Sequence, residues 1–289
     1  MTDLPSRTWI ARLQAWAEEE TNIRLALLVG SQARTEAPAD PYSDIDLALF
    51  VRDPELLLRD ESWIGKLGPF WTSHLESTPI GSVQERRILF RDGQDIDFAV
   101  FPVEALAGVV RDAQGIEVLR RGFRPLVNKD SVDLKTPSKE TTPVPPSAAE
   151  FSNLVNDFWF HLIWTAKKLG RGELLVASEA TNGYLRALLV RMVRWHALLK
   201  GARQRDLWHG ARFFEKWADP RVIRDFPETV ARYEAPSLVS ALRANRTLFC
   251  WLSDEVGESL SCPSPIRDRD GLSTYLDHLL SRIGPRGGP

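Results

Sequence analysis

Apolar residues in the first 125 positions form short runs, each bounded by Gly, Pro or Asp. Four runs stand out: RLALLV (24–29), DLALFV (46–51), RRILF (86–90) and DFAVF (97–101). Runs of this length with such boundaries predict β-strands. Segments with helical spacing lie between and around them, at 6–19, 55–67 and 103–111. The first part of the chain is therefore predicted to be a mixed α/β domain.

From Phe151 onward the apolar positions recur every three or four residues, which is the spacing of one helix face. Further helices are predicted at 173–199, 210–218, 236–259 and 271–283. Residues 125–150 are rich in Pro, Ser, Thr and Lys and predict a linker. We expect an α/β domain at 1–135 and an all-α helical bundle at 136–289.

Composition excludes several classes of protein. Lys and Arg number 37 and Asp and Glu 39, so the net charge of -2 provides no basic field for a nucleic-acid polymer. No apolar run approaches the roughly 20 residues of a membrane span, and the first residues lack a signal-peptide pattern. The two cysteines, Cys250 and Cys262, match no zinc or disulfide spacing. We expect a cytoplasmic protein with no membrane partner.

One acidic pattern occurs twice, as DIDLALF (44–50) and DIDFAVF (95–101). Alternate side chains of a strand share a face, so Asp44 and Asp46 point one way, as do Asp95 and Asp97. If the two strands are neighbours, three or four carboxylates converge. Like charges held close raise one another's pKa, and a divalent cation such as Mg²⁺ removes the conflict. A single acid of this kind is most often solvated or caps a turn, but two copies favour a metal site.

The strand at 24–29 leads into Gly30 and Ser31, which lie shortly before Asp44. Glycine lets the backbone approach a ligand closely, and N–H groups at a helix start bind anionic oxygens. The Ser31 hydroxyl adds a donor. An ordinary turn is the alternative interpretation, and the position ahead of Asp44 favours phosphate binding.

The order of these motifs resembles the nucleotidyltransferase superfamily: GSQAR (30–34), SDIDL (43–47) and DID (95–97). Within it, the segments 90–106, 158–179 and 185–196 are similar to the aminoglycoside adenylyltransferases that modify streptomycin at its six-hydroxyl. The resemblance implies a nucleotidyltransferase-fold domain with a mixed sheet, followed by a helical bundle. It also implies Mg²⁺-dependent transfer of AMP from ATP to an aminoglycoside hydroxyl, release of pyrophosphate, and antibiotic resistance.

The resemblance assigns roles to five residues of the first domain. Gly30 and Ser31 would hold the triphosphate. Asp44 and Asp46 would ligate Mg²⁺. Asp97 would complete the acidic, catalytic site, share the metal and accept the proton of the attacking hydroxyl.

Four further residues carry open questions. Asp95 has no clear counterpart and is left as a supporting acid. Gln32 stands where the streptomycin branch often has Arg, so Arg34 is expected to supply charge to the phosphates. Lys167 would offset charge on the departing pyrophosphate, with a solvated helix residue as the equal alternative.

The acceptor is expected in a cleft between the two domains, where carboxylates and aromatic rings would contact its cationic groups. Candidate carboxylates are Glu76, Glu85, Glu173 and Glu179. The ten tryptophans are expected mainly in cores and at the domain interface, with an acceptor contact open for one or two.

Two alternatives remain open at this point. The same chemistry could serve another acceptor, such as a lincosamide, another small molecule or a protein side chain. The length of the second domain argues against the minimal toxin-associated enzymes that modify proteins. The other alternative is a non-catalytic nucleotide-binding protein, against which stands the intact set of Asp44, Asp46 and Asp97.

Overall fold

The computed structural model describes residues 5–34, 38–78, 83–109, 118–134, 144–201 and 211–284. The chain divides into two compact units, Met1–Thr141 and Thr142–Pro289. The helices of the described residues include none that is both long and apolar enough to cross a membrane.

The first unit is built on a mixed sheet of six strands in the order β3-β4-β5-β2-β1-β6. The strands are β1 (Ile23–Val29), β2 (Ile45–Val51), β3 (Phe70–Ser77), β4 (Gln84–Phe90), β5 (Asp95–Pro102) and β6 (Arg124–Asn128). Strands β2 and β5 pair in parallel, and the other neighbours pair antiparallel. The predicted mixed α/β fold is confirmed, and the four predicted strands correspond to β1, β2, β4 and β5.

One longer helix precedes the strands and short helices lie between them. They are α1 (Pro5–Glu19), α2 (Glu55–Leu58), α3 (Ile64–Leu67) and α4 (Leu106–Val109), with 3₁₀ turns at Gly30–Gln32 and Val103–Ala105. The single helix predicted at 55–67 is wrong, because Asp60 accepts hydrogen bonds from the backbone and the hydroxyl of Ser62 and holds a turn there. The helix predicted at 103–111 is a 3₁₀ turn followed by α4, and residues 110 and 111 lie outside the described part.

Two strands were not predicted. Strand β6 lies partly within the segment predicted as a linker, so that prediction was wrong for residues 125–128. Leu126 and Val127 are buried, and β6 pairs with β1 at one edge of the sheet. Strand β3 forms the other edge and is largely exposed, so it lacks the alternation of buried apolar residues that marks a strand.

The two faces of the sheet differ. Trp9, Leu13 and Trp16 of α1 pack on one face, against side chains that include Phe98 and Trp63. On the other face a smaller apolar cluster surrounds Phe50 and Phe101, whose stacked rings are 5.1 Å apart. The side chains of Asp46 and Asp97 alternate with the core residues of β2 and β5, so they belong to this second face.

The second unit is helical in its described residues. Its helices are α5 (Ala148–Gly170), α6 (Leu174–Glu179), α7 (Arg186–Leu199), α8 (Phe214–Trp217), α9 (Pro220–Asp225), α10 (Ala235–Ser259) and α11 (Arg269–Ser281). Ser147 and Glu150 form a reciprocal capping box at the start of α5. Rings of Phe158 and Phe249 stack at 3.6 Å between α5 and α10. Of the predicted helix 210–218, only α8 is described as helix, and α9 was not predicted.

The predicted helix at 173–199 contains a π-helical segment at Ala180–Leu185 between α6 and α7. Asn182 in this segment pairs with the backbone of Ala231: its amide donates to the carbonyl and its oxygen accepts from the N–H, both at 2.9 Å. The Asn182 side chain thus ties the π-helical segment to the chain ahead of α10.

Candidate active site

Three carboxylates meet where β2 and β5 run side by side. Asp46 lies opposite Asp97 in the parallel register, and Asp44 directly precedes β2. One oxygen from each of these three side chains lies within 4.8 Å of the others, and all three residues are half-buried. Asp95 is exposed and lies outside this group. We call Asp44, Asp46 and Asp97 the acidic triad.

Burial raises the pKa of Asp97 to about 7; the Arg87 guanidinium opposes the rise, and the carboxylates of Asp46, Glu85 and Asp44 add to it. Burial and nearby like charges disfavour the ionised form of a carboxyl, and a bound cation favours that ionised form. A donor set of carboxylate oxygens is what Mg²⁺ prefers. The acidic triad therefore fits a hard divalent cation.

Arg87 was missed by the sequence reasoning. It lies opposite Asp97 in the β4–β5 pairing, with Nη2 3.4 Å from Asp97 Oδ2. Its Nε is 2.6 Å from Glu85 Oε1 and 3.1 Å from Glu76 Oε2. The sequence of β4 contained a signal for this position, because side chains alternate along a strand. Arg86 shares the buried face with Ile88 and Phe90, so Arg87 must lie on the opposite face, which carries Asp97. Two of the carboxylates expected to contact the acceptor thus form ion pairs with Arg87.

Gly30 starts the 3₁₀ turn Gly30–Gln32, which we call the Gly-Ser turn. Its φ is +65°, and a Cβ atom at this position would lie 1.8 Å from Asp46 Oδ2. Only glycine fits, for both backbone and steric reasons. The helix start expected after Gly30 is wrong: the turn contains three residues, and Ala33 and Arg34 do not continue it as a helix.

Ser31 is buried, and its Oγ has no hydrogen-bond partner among the residues that the structure describes. Buried hydroxyls are normally paired, and an orphaned one is destabilising. Such a hydroxyl, in the turn whose Gly30 contacts Asp46, fits a ligand oxygen, as the phosphate prediction requires.

Gly122, which was also missed, packs against the backbone that directly follows the Gly-Ser turn. Its φ is +128°, and a Cβ atom there would lie 2.7 Å from the Ala33 carbonyl oxygen and 3.1 Å from Arg34 Cα. Sequence patterns do not show this contact, because Gly122 is distant from Arg34 along the chain. The backbone that carries Arg34 is thereby packed against a second glycine.

Two glutamine amides hold the backbone at the start of β2. Gln32 Nε2 donates to the Asp44 carbonyl at 3.4 Å, and Gln94 Nε2 donates to the carbonyls of Ser43 at 3.3 Å and Asp95 at 3.0 Å. Gln32, noted above as a departure from the streptomycin branch, therefore connects the Gly-Ser turn to a residue of the triad.

The remaining predicted residues belong to the second unit. Lys167 is exposed on α5, with Nζ 5.7 Å from the centroid of the Tyr275 ring. Glu173 forms ion pairs at 2.9 Å with Lys168 and with Arg171. Glu179 is exposed at the end of α6. Contacts of these side chains with a nucleotide or an acceptor stay predictions.

Comparison with known proteins connects both units to one family. The family model described as streptomycin adenylyltransferase matches residues 6–279. Aminoglycoside 6-adenylyltransferase of Bacillus subtilis (strain 168) is 25% identical over 277 residues, which cover 93% of this chain and 95% of that protein. The protein of the same name from Campylobacter jejuni is 23% identical over 277 residues, 93% of each chain.

A crystal structure of an aminoglycoside 6-adenyltransferase from Bacillus subtilis aligns with 96% of this chain and 99% of its own, with a TM-score of 0.43 and 21% identity. The family match spans nearly all of the described residues, from α1 to α11. It confirms the resemblance drawn from the Gly-Ser and paired-Asp motifs. The chain therefore belongs to the streptomycin adenylyltransferase family, a family of nucleotidyltransferases.

Proposed function

We propose that the protein transfers AMP from ATP to a hydroxyl group of an aminoglycoside such as streptomycin, with Mg²⁺ as cofactor. The acidic triad carries this proposal: three carboxylates within 4.8 Å, with Asp46 packed directly against the Gly-Ser turn. Names of the relatives, each an aminoglycoside 6-adenylyltransferase, support the acceptor class.

The Gly-Ser turn binds the triphosphate in this proposal. Gly30 lets the turn pack directly against the Asp46 carboxylate, and the orphaned Ser31 hydroxyl donates to a phosphate oxygen. Arg34 and Lys167 add positive charge toward the phosphates, as the family resemblance implies.

The acidic triad supplies the carboxylate oxygens that hold Mg²⁺. When bound, Mg²⁺ neutralises triphosphate charge and stabilises the charge that develops on the leaving pyrophosphate. Asp97 also accepts the proton of the acceptor hydroxyl, the role that the family resemblance implies for it. The hydroxyl oxygen bonds to the α-phosphorus, the bond from that phosphorus to the bridging oxygen breaks, and pyrophosphate leaves.

Negative charge on the same face of the sheet suits a cationic acceptor. Glu76 lies opposite Glu85 in the β3–β4 pairing, and both share the face of Asp97. Both form ion pairs with Arg87, whose side chain is partly exposed, so solvent weakens these pairs. A cationic group of the acceptor can therefore compete with Arg87 for the two carboxylates. Glu173 and Glu179 remain candidate acceptor contacts in the second unit.

The test is an incubation of purified protein with Mg²⁺, ATP and streptomycin, followed by pyrophosphate release and the mass of the acceptor. We expect an AMP-sized mass gain that is lost in Asp46→Asn and retained in Asp95→Asn. The second variant is the matched control, because Asp95 starts β5 but lies outside the triad.

Two results would change the proposal. Pyrophosphate release with unmodified streptomycin would move the acceptor to another class, such as a lincosamide or a protein side chain. Binding of ATP without turnover across an acceptor panel would contradict the enzymatic function itself.

A further inference from the structure

Arg87 lies between two groups of carboxylates on the face of the sheet that carries the acidic triad. The pairings of β2 with β5 and of β5 with β4 place Asp46, Asp97 and Arg87 side by side in one row. Side chains directly opposite each other on neighbouring strands are close enough to interact. The guanidinium therefore borders the triad on one side, and it pairs with Glu76 and Glu85 on the other.

The three ion pairs of Arg87 differ in length. Nε lies 2.6 Å from Glu85 Oε1 and 3.1 Å from Glu76 Oε2, whereas Nη2 lies 3.4 Å from Asp97 Oδ2. Hydrogen bonds between charged groups are usually about 2.7–2.9 Å long, so the contact with Asp97 is the loosest of the three. Different nitrogens of the planar guanidinium serve the two sides. Arg87 can therefore give up Asp97 and keep both glutamates.

The acidic triad needs positive charge nearby. One oxygen from each of its carboxylates lies within 4.8 Å of the others, and like charges at this spacing repel one another. In the described part of the chain, Arg87 is the ion-pair partner of Asp97. The guanidinium thus provides, in the metal-free protein, part of the neutralisation that a divalent cation would provide.

The contact between Arg87 and Asp97 can be broken at little cost in stability. A divalent cation at the triad would compete with Arg87 for Asp97, and the two positive charges would repel each other. The Arg87 side chain is 43% exposed, and the two glutamates remain beside it. Its release from Asp97 therefore leaves no unpaired buried charge.

We infer that Arg87 is an internal counter-ion of the acidic triad, which competes with a divalent cation for Asp97 and pairs with the glutamates alone once the cation binds. This inference rests on the proposed function, because it concerns the Mg²⁺ site proposed there. In this role Arg87 limits how tightly the triad holds a cation before the nucleotide arrives. Loss of a merely structural residue would disorder the triad and weaken cation binding, whereas loss of a competitor strengthens it.

Binding of Mn²⁺ without nucleotide or acceptor tests the inference, with the electron paramagnetic resonance signal of free Mn²⁺ as the readout at pH 8. Arg87→Gln is expected to lower the Kd for Mn²⁺ about tenfold, because competition and repulsion both disappear. Arg87→Lys keeps the charge and is expected to stay within about threefold of wild type. Glu85→Gln should raise the Kd, because Arg87 loses its shortest ion pair and stays with Asp97.

Two further variants serve as controls. Arg59→Gln removes the same charge from a residue that also pairs with a carboxylate, that of Glu55, but is 83% exposed and directly follows α2. It is expected to leave the Kd for Mn²⁺ unchanged. Asp46→Asn identifies the site, since it should abolish the Mn²⁺ binding that Arg87→Gln strengthens. Thermal melts show which variants are folded.

Unchanged or weaker Mn²⁺ binding in folded Arg87→Gln would overturn the inference and leave the proposed transfer reaction intact. Equal strengthening in Arg59→Gln would also overturn it, because net charge would then be the cause. If Arg87→Gln does not fold, an unchanged Kd in Glu85→Gln has the same meaning. Undiminished Mn²⁺ binding in Asp46→Asn would overturn both the inference and the proposed Mg²⁺ site. The expected Mn²⁺ results without AMP transfer would contradict the proposed reaction alone.

Discussion

A Cβ atom on Gly30 would lie 1.8 Å from Asp46 Oδ2, so the Gly-Ser turn and a triad carboxylate are packed together without space for a side chain. The antiparallel pairing of Val29 with Asp46 sets this proximity, because Gly30 directly follows β1. The proposed phosphate contact and the proposed metal ligand are therefore positioned by one strand register.

Gly30→Ala is expected to lower kcat about 100-fold or more, because the new methyl group must displace the Asp46 carboxylate. Gly93→Ala is the matched control, since Gly93 also has a positive φ of +91° but a Cβ there meets nothing within 4 Å. Gly93→Ala should lose about 1 kcal/mol of stability through its backbone conformation alone, and Gly30→Ala should lose more because its methyl group also clashes with Asp46. Steady-state kinetics and thermal melts check this, and equal activity losses in the two variants would contradict it.

Ser31→Ala should weaken ATP binding while it increases the stability of the protein. Removal of a buried hydroxyl that has no partner among the described residues is expected to stabilise the protein by about 1 kcal/mol, while the KM for ATP rises about tenfold. Ser253→Ala is the contrasting control, because its buried hydroxyl donates to the Cys250 carbonyl at 2.9 Å. That variant should lose about 1 kcal/mol and keep its ATP KM. Chemical denaturation and kinetics give both readouts; an unaltered ATP KM in Ser31→Ala would argue against the phosphate contact.

Asp97 should make the metal-free protein less stable as pH rises. Its folded pKa of about 7 exceeds the unfolded value of about 3.9, so between these values the folded state binds more protons. Asp97→Asn is therefore expected to be more stable than wild type at pH 8 by about 2–4 kcal/mol, with a smaller difference at pH 5. Urea unfolding in a chelator measures this. Parallel pH dependences for the two proteins would be the contrary result.

His196, in the second unit, should make the protein less stable as pH falls, which is the opposite pH dependence to that of Asp97. Burial lowers its pKa below 6.5, against the opposing charges of Asp219 and Glu255. As pH falls through about 6.5, the unfolded chain takes up a proton before the folded one, so stability is lost. His196→Phe should flatten this loss between pH 7.5 and 5. The measurement is the free energy of unfolding against pH, and an unchanged slope in the variant would exclude His196 as its source.

Local features of the chain were readable from the sequence. Strands β2 and β5 follow from apolar residues that alternate with Asp, and side-chain direction alternates along a strand regardless of the fold around it. The helix face that begins at Phe151 follows from the equally local spacing of α5. The same patterns, with the Gly-Ser and paired-Asp motifs, were sufficient to indicate the family.

The sequence by itself determined which faces Asp44, Asp46, Asp95 and Asp97 share, because periodicity along a strand is a local property. It left Asp95 and Asp97 equivalent, since residues two apart point the same way. The family resemblance favoured Asp97, and the parallel register of β2 and β5 gives the physical difference by placing Asp97 opposite Asp46. Tertiary structure likewise decided the contacts of Arg87 and Gly122, because pairing between distant segments depends on packing that no local pattern contains.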